Sequence, residues 1–565
     1  MKVHTGLVDA LLAEDVDTVF GLLGGGVEHL IDELVRRGIR FVSVRHEQAA
    51  VGMADGYSRS TGRIGVAVLS HGPGVSNAAT TMTVARKSRS RVLVITSDIG
   101  ANERFTPHRF EQELFLRATI EDYVTPRWPA KFHLDVADAI TRIRRGDGPV
   151  ALNVPADVFT MELPDGWRYP PVVDVWSGRR PAPEPNAIAE LLAMLATSER
   201  PVILVGRGAV LSGARAEVEE LAERTGAAIA HTLLAKDWCA GHSHSVGLAG
   251  GFGDPATQRT LEQADLVLAF GASLTRYTTH WGTLFEKASI ARIDLRPDTV
   301  SEMTAVDLTV WADARTTVRA LLAALEDGPP CPPWTAGFQP STAEPTNVNG
   351  VDWAEQYGLM PPQHDPLEPQ IDVGRVLGEL ARLLPAERTV VIDAGNAMGA
   401  PAARFPISNP LDQVYPWSFG SIGGGLAIEI GASIGRPDRP TIAFLGDGSL
   451  MLGLSDLDTA RRHGARLLVV VTTVASAPSG EATRHAHSIH TWPTTTILTS
   501  PRWPRHSEFR ATTRRATRMS MYAWTASDPK IQGCQVPLFS VYTSTNSPTT
   551  RKSIVPSSTT GPTEQ

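Results

Sequence analysis

Three consecutive α/β domains with parallel sheets are what this sequence predicts, the third incomplete after about residue 471. Short strands that are apolar throughout, such as "RFVSV", "RVLVITSD" and "TIAFLGDG", alternate with helical segments, as in parallel sheets covered on both faces. Two Pro-rich joins cut that alternation into pieces of domain size: "RRPAPEPN", and the stretch 327–370 with "GPPCPPW" and "MPPQHDPLEP". From Thr472 onward 32 of 94 residues are Ser or Thr, and no helical or strand period persists. Such a composition cannot bury a core.

The first domain, residues 1–170, opens with the helix "GLVDALLAED", the strand "DTVFGLL" and the helix "GVEHLIDELVRRG". Then come "RFVSV", the helix "EQAAVGMADGYSRSTG", the strand in "IGVAVLSHGPG", a further helix, "RVLVITSD", and a last strand in "GPVALNVPADV". The second domain, 185–326, repeats the logic with "RPVILVGRGAVLSGARAEVEELAERTGAAIA", "DLVLAFGASL" and "ARIDL". The third, 371–471, holds the helix "VGRVLGELARLLP", the strand "TVVIDAG" and the Gly-rich "FGSIGGGLAIEIGASIG". It continues with "TIAFLGDG", an amphipathic helix and a second apolar strand, Leu467 to Val471. Residues 472–565 read as an atypical tail of low order.

A hydrophobic fraction of 42% and a charged fraction of 20% are ordinary for a soluble globular protein. No run of eighteen apolar residues exists, so no membrane span is expected. The start, "MKVHTGLVDALLAEDVDTVFG", carries acids in its first turns and lacks a signal-peptide core. Cys239, Cys331 and Cys534 lie too far apart in sequence to suggest a disulfide framework or a metal cluster. A cytoplasmic enzyme is the default. Residues 1–471 hold 56 acids against 43 bases and residues 472–565 hold 4 against 10. The basic tail has no compact patch, so a nucleic-acid partner is not expected.

Four stretches carry candidate chemistry. "RHEQAAVGMADGYSR", 45–59, sets Glu47 at a strand-to-helix junction. "SHGPGVSN", 70–77, is a loop whose glycines permit close backbone approach and which presents His71 and Asn77. "FGSIGGG", 419–425, places Ser421 and Ile422, the latter 25 residues before Asp447. "GDGS", 446–449, follows an apolar strand and precedes a helix; "DAGNAMG", 393–399, lies at a matching strand end. Each is weak alone. Glu47 could be a helix-start acid favoured by the dipole, Ile422 a core residue, and "GDG" a common turn.

Together they resemble the thiamine-diphosphate (ThDP) enzymes of the acetolactate synthase and benzoylformate decarboxylase group, over residues 1 to about 471. The resemblance implies a pyrimidine-binding, a central and a diphosphate-binding domain. It implies that Glu47 hydrogen-bonds N1′ of the cofactor's aminopyrimidine, so that the 4′ nitrogen can remove the proton from thiazolium C2. A carboxylate in an apolar pocket would have the raised pKa that sharing a proton requires. His71 is implied as a proton-transfer residue. Ile422 would wedge between the two cofactor rings. Asp447 would coordinate Mg²⁺, with backbone N–H groups of the turn meeting the phosphates. Gly25, Asn77, Gly395, Asn396, Ser421, Gly446, Gly448 and Ser449 complete the implied cofactor contacts.

The implied activity is decarboxylation of a small 2-oxo acid, with transfer of the product to an acceptor as an extension. The implied assembly is a homodimer or homotetramer with active sites between subunits. "VGRGAVLSGA", 205–214, suggests a dinucleotide loop, but a lone G-x-G is weak, and an empty central domain is preferred over one holding FAD. His280, in "GASLTRYTTHWG", sits where related decarboxylases carry an active-site histidine. Two rival readings stand beside this one: a degenerate copy that binds cofactor weakly or not at all, and a flavin- or NAD-dependent oxidoreductase.

The family pattern ends the second strand in Asn-Asn or Asn-Asp. Its metal-binding Asn falls 27 residues after the Asp, and a backbone carbonyl two residues later adds a ligand. Those positions here are Val474 and Ser476. Val474 offers no side-chain oxygen to an octahedral Mg²⁺. A reading-frame shift near codon 472 explains both the lost ligand and the Thr/Ser/Arg/Pro-rich tail; a divergent tail is the alternative.

Overall fold

The structure is a computed structural model. It describes residues 1–472 except 101–102, 104–105, 147, 173–179, 297–304, 326–327, 339–372 and 396–397, and beyond them the backbone of 495–499. Val474, Ser476 and Asn396 therefore lie outside the described residues.

Apolar, largely β-branched runs form three sheets. In the first, β1 (Thr18–Gly21), β2 (Arg40–Ser43), β3 (Gly65–Leu69), β4 (Val92–Asp98), β5 (Asp122–Val124) and β6 (Val150–Pro155) order as β2-β1-β3-β4-β6-β5, every pair parallel. The second holds β7 (Pro201–Val205), β8 (Ala228–His231), β9 (Ser245–Leu248), β10 (Leu266–Phe270), β11 (Ser289–Asp294) and β12 (Leu308–Trp311). Its order is β12-β11-β10-β7-β8-β9, again parallel. The third holds β13 (Thr389–Ile392), β14 (Gln413–Val414), β15 (Thr441–Gly446), β16 (Leu467–Thr472) and β17 (Thr495–Thr499), in the order β14-β13-β15-β16-β17. Its parallel run stops at β16, because β17 pairs antiparallel.

The second and third sheets each reverse their winding once, between β7 and β10 and between β13 and β15; the first reverses between β1 and β3 and again at its β6–β5 edge. At such a point the loops leaving neighbouring strands diverge to opposite faces and open a crevice at the strands' carboxyl ends. The predicted site residues fall at two of these crevices. Gly25, His71 and Asn77 follow β1 and β3, while Gly395 and Asp447 follow β13 and β15.

The first and third domains share one core. The helix Glu47–Thr61 begins at His46, whose ring Nδ1 accepts the Gln48 N–H at 3.1 Å, and ends at Gly62 in the left-handed region. It lies against the helix Gly425–Gly435, in which residues 425–434 are all buried. The contact is made backbone to backbone. A Cβ on Gly56 would stand 2.0 Å from the Ile428 carbonyl oxygen, and one on Gly431 would stand 2.0 Å from that of Met53. Only glycine permits this approach. Tyr57, Ile428 and Ile430 join the same apolar cluster as Phe20, Val391 and Val469.

Candidate active site

In the third domain, the loops after β13 and β15 and the loop 420–424 meet at Asp393. This carboxylate is 1% exposed, and burial raises its pKa. It accepts the Ala394 N–H at 2.8 Å, the Gly423 N–H at 3.0 Å and the Ser449 hydroxyl. Ser449 in turn accepts the Gly423 N–H at 3.2 Å. Gly423 has φ +91°, and a Cβ there would lie 2.8 Å from Cβ of Leu452. The loop is thereby folded back so that Ile422 projects between two open glycines. Ile422 Cγ2 is 3.4 Å from the Cβ position of Gly395, and its Cδ1 is 3.9 Å from that of Gly448. Beside it Asp447 is exposed, and its hydrogen bond among the described residues comes from its neighbour's N–H, Gly448, at 2.8 Å. The structure thus brings Gly395, Ile422, Asp447, Gly448 and Ser449 together, with Ser421 and Gly446 at the edges of the same group.

The first domain supplies a second group. Glu47 is half-buried and accepts the Asn77 side-chain amide at 3.0 Å. Gly74 stands against it, its Cβ position 3.6 Å from Oε1. The apolar pocket expected around Glu47 is not closed within one chain, because this end of the crevice opens to the surface. His71 is held by Ser97, whose hydroxyl bonds its backbone N–H at 3.0 Å and its ring Nδ1 at 2.9 Å. Burial, and then the neighbouring His108 ring at 5.0 Å, lower the His71 pKa, so it is neutral at pH 7. The loop carrying it is fixed from below. Buried Gln112 accepts the Gly72 N–H at 2.9 Å and donates to Asn153 at 2.7 Å, and Asn153 donates to Asp98 at 2.7 Å. Gly25 has open space around it.

Among the described residues, no hydrogen bond or ion pair joins Glu47 or His71 to Ile422, Asp447 or Ser449. Sequence reasoning passed over Asp393, Ser97, Gln112 and Asn153. Asp393 had a signal, since "TVVIDAG" ends an apolar strand in an acid as "TIAFLGDG" does. The other three look like ordinary loop and strand residues until the tertiary contacts form.

In the central domain the corresponding crevice is filled by main chain. Gly206 N–H donates to Phe270 O at 2.9 Å and Gly208 N–H to Gly271 O at 3.0 Å. A Cβ on Gly206 would meet Gly271 O at 2.2 Å. The glycines of "VGRG" here let two loops touch. His280 sits in a strained loop, φ +48°, with its ring Nδ1 buried and without a hydrogen-bond partner among the described residues. Nearby Tyr277, Phe252 and Trp417 pack ring against ring, tying this loop to the segment that leads into Ile422.

Comparison with known proteins matches three stretches of the chain. Residues 1–119 match the N-terminal TPP binding domain of thiamine pyrophosphate enzymes, residues 188–321 their central domain and residues 393–473 their C-terminal TPP binding domain. The sulfoacetaldehyde acetyltransferase of Rhodobacter capsulatus is 29% identical over 495 residues, covering 82% of this chain and 80% of the relative. That of Alcaligenes xylosoxydans xylosoxydans is 28% identical over 503 residues, covering 83% and 81%. The acetolactate synthase isozyme 3 large subunit of Escherichia coli is 26% identical over 485 residues, covering 82% and 80%. With its parallel sheets and with the N-terminal, central and C-terminal matches in this order, the chain belongs to the thiamine pyrophosphate (thiamine diphosphate) enzyme family.

Proposed function

We propose that the chain is a ThDP- and Mg²⁺-dependent 2-oxo acid decarboxylase or carboligase of the acetolactate synthase type. The observation that carries this is the group around Asp393: three segments locked together so that Ile422 stands between two glycines, with the exposed Asp447 carboxylate beside them. The group fits the cofactor. Gly448 and Gly395 leave room for a diphosphate, and Asp447 has no cationic partner among the described residues, so it can serve a metal. Bound there, ThDP would supply the electron sink for cleavage of the bond to the 2-oxo acid's carboxylate. The chain's own residues would do the rest. Asp447 would hold the metal, Ser449 and Asp393 hold the loop, and Ile422 would stand against the cofactor. Glu47, kept in place by Asn77, handles the proton at the pyrimidine. His71, neutral at pH 7, can take up a proton at the substrate end.

The active site is proposed to form between two chains of a homodimer or homotetramer. Phe419, Ile422, Met451, Leu452 and Leu454 are all exposed around the third-domain group, an apolar patch of the kind that marks an interface. Among the described residues no helix is long and apolar enough to cross a membrane, and a cytoplasmic location is part of the proposal. The main-chain contact of Gly208 with Gly271 favours a central domain without FAD.

A second reading, acetyl transfer with sulfoacetaldehyde, is supported by the relatives bearing that name. Calorimetric titration of ThDP with Mg²⁺ tests the cofactor. Product analysis with pyruvate and other 2-oxo acids, each with and without sulfoacetaldehyde, separates the reactions. Absence of any ThDP binding would favour a degenerate copy.

A further inference from the structure

Glu47 stands at the start of its helix, and the residue two places before it is gripped from the third domain of the same chain. The Arg45 N–H donates to Asp456 Oδ1 at 3.1 Å. Asp456 is 2% exposed, and the same Oδ1 accepts the Thr459 hydroxyl at 2.9 Å. The Arg45 side chain reaches Asp458 Oδ2 with Nε at 2.8 Å and Nη2 at 2.5 Å. Asp458 also holds Arg462 at 2.8 Å, and Arg462 donates to the Ser43 carbonyl at 2.7 Å. Further along β2, Arg40 donates to the His463 carbonyl at 2.9 Å. The helix Leu457–His463 is thus fastened along the end of β2 and the junction after it. That helix is reached from Asp447 through the helix Asp447–Gly453 and the turn Leu454–Asp456 without a loop between them.

We propose that Asp456 is a positioning residue for Glu47, fixing the strand-to-helix junction so that the Glu47 carboxylate keeps its place beside Asn77; its bearing on catalysis rests on the reading of Glu47 given above. The physical case is the acceptor. An Arg45 N–H that precedes the helix has no helical partner, and one buried oxygen supplies its bond. Since both bonds land on Oδ1, an amide can replace the acid without losing either, whereas alanine loses both.

The test has two arms, each on the full chain. In the cofactor-free protein, amide hydrogen exchange is followed by mass spectrometry across residues 43–49, with strand Leu266–Phe270 as the internal reference. Asp456→Ala should speed exchange across 43–49 by about tenfold and leave the reference unchanged, and Asp456→Asn should restore the slow rate. Unchanged exchange in Asp456→Ala overturns the proposal. If that variant does not fold, Asp456→Ser, which shortens the acceptor facing the Arg45 N–H, decides in the same way: no local acceleration overturns the proposal. In the second arm, C2 proton exchange of ThDP is measured with Mg²⁺ in Glu47→Gln, Asp456→Ala and Asp456→Asn. Slowing in the first two with recovery in the third supports positioning. Slowing in Glu47→Gln alone overturns it. Normal exchange in Glu47→Gln overturns the role given to Glu47 itself, and the grip on the junction is then judged by the amide arm.

Discussion

At the scale of single residues, the two acids that matter most differ in how they are held. Asp447 is exposed and accepts its neighbour's N–H; Asp393 is sealed in and accepts from three donors. Ser449→Ala removes one of those donors from a buried carboxylate and should cost about 1–3 kcal/mol, read from chemical denaturation. Ile422→Ala should behave in the opposite way. The side chain is 41% exposed in the single chain, so stability should fall by less than about 1 kcal/mol while turnover falls markedly. Comparing turnover per folded molecule with the unfolding midpoint separates the two effects, and a loss of stability without a loss of turnover makes Ile422 a packing residue. Glu47, Ile422 and Asp447 were legible because each sits in a short motif at a strand or loop end. Asp393 and Asp456 were not, since a buried acid and a turn acid are the same letter until tertiary contacts choose between them.

At the scale of elements, the pair of helices Glu47–Thr61 and Gly425–Gly435 dominates. Gly56→Ala puts a methyl group 2.0 Å from a carbonyl oxygen and should destabilise the protein by roughly 1–3 kcal/mol or more. An unchanged melting temperature would show that the helices can separate freely. The second helix also hides Glu429, 0% exposed, with neither oxygen hydrogen-bonded among the described residues. Burial raises its pKa well above the usual 4.5; the nearby N–H groups of Leu468 and Ala443 offset part of the rise without closing a bond. The folded chain therefore keeps a proton that the unfolded chain releases above that value. Stability from this group is fully present at pH below about 4.5 and is lost as pH rises toward the folded-state pKa. Glu429→Gln should abolish that loss, so its stabilising effect should grow between pH 5 and pH 8. A difference in melting temperature that stays constant with pH would contradict this. The first helix could be read from the sequence, whereas the second stood there only as a Gly-rich stretch. Their mutual contact could not be read, because nothing local links residue 56 to residue 428.

At the scale of the molecule, the three-sheet plan was legible because apolar runs and Pro-rich joins mark it directly. The grip of the third domain on Arg45, two residues before Glu47, was not, because it depends on contacts between distant segments. Two predictions belong here. Val474→Asn supplies the missing side-chain oxygen and should tighten Mg²⁺–ThDP binding, read by calorimetry; equal affinity in both chains would mean the metal is completed in another way. If sites form between chains, mixing Glu47→Gln with Asp447→Asn should recover activity, since some mixed dimers then carry one intact site. Mixtures no more active than either variant alone would place each site within one chain.

The backbone contacts of Gly56 with Ile428 and of Gly431 with Met53 also set a timetable for synthesis. The helix ending at Thr61 leaves the ribosome about 370 residues before its partner is finished. At roughly 5–20 residues per second that interval is on the order of 20–70 s, during which a face made for another helix is bare. A fragment ending at residue 170 should therefore bind the apolar dye ANS and pellet readily, and a holdase chaperone present during translation should raise the yield of the whole chain. A fragment that is monomeric and dye-free would show that the first domain closes its own face while it waits.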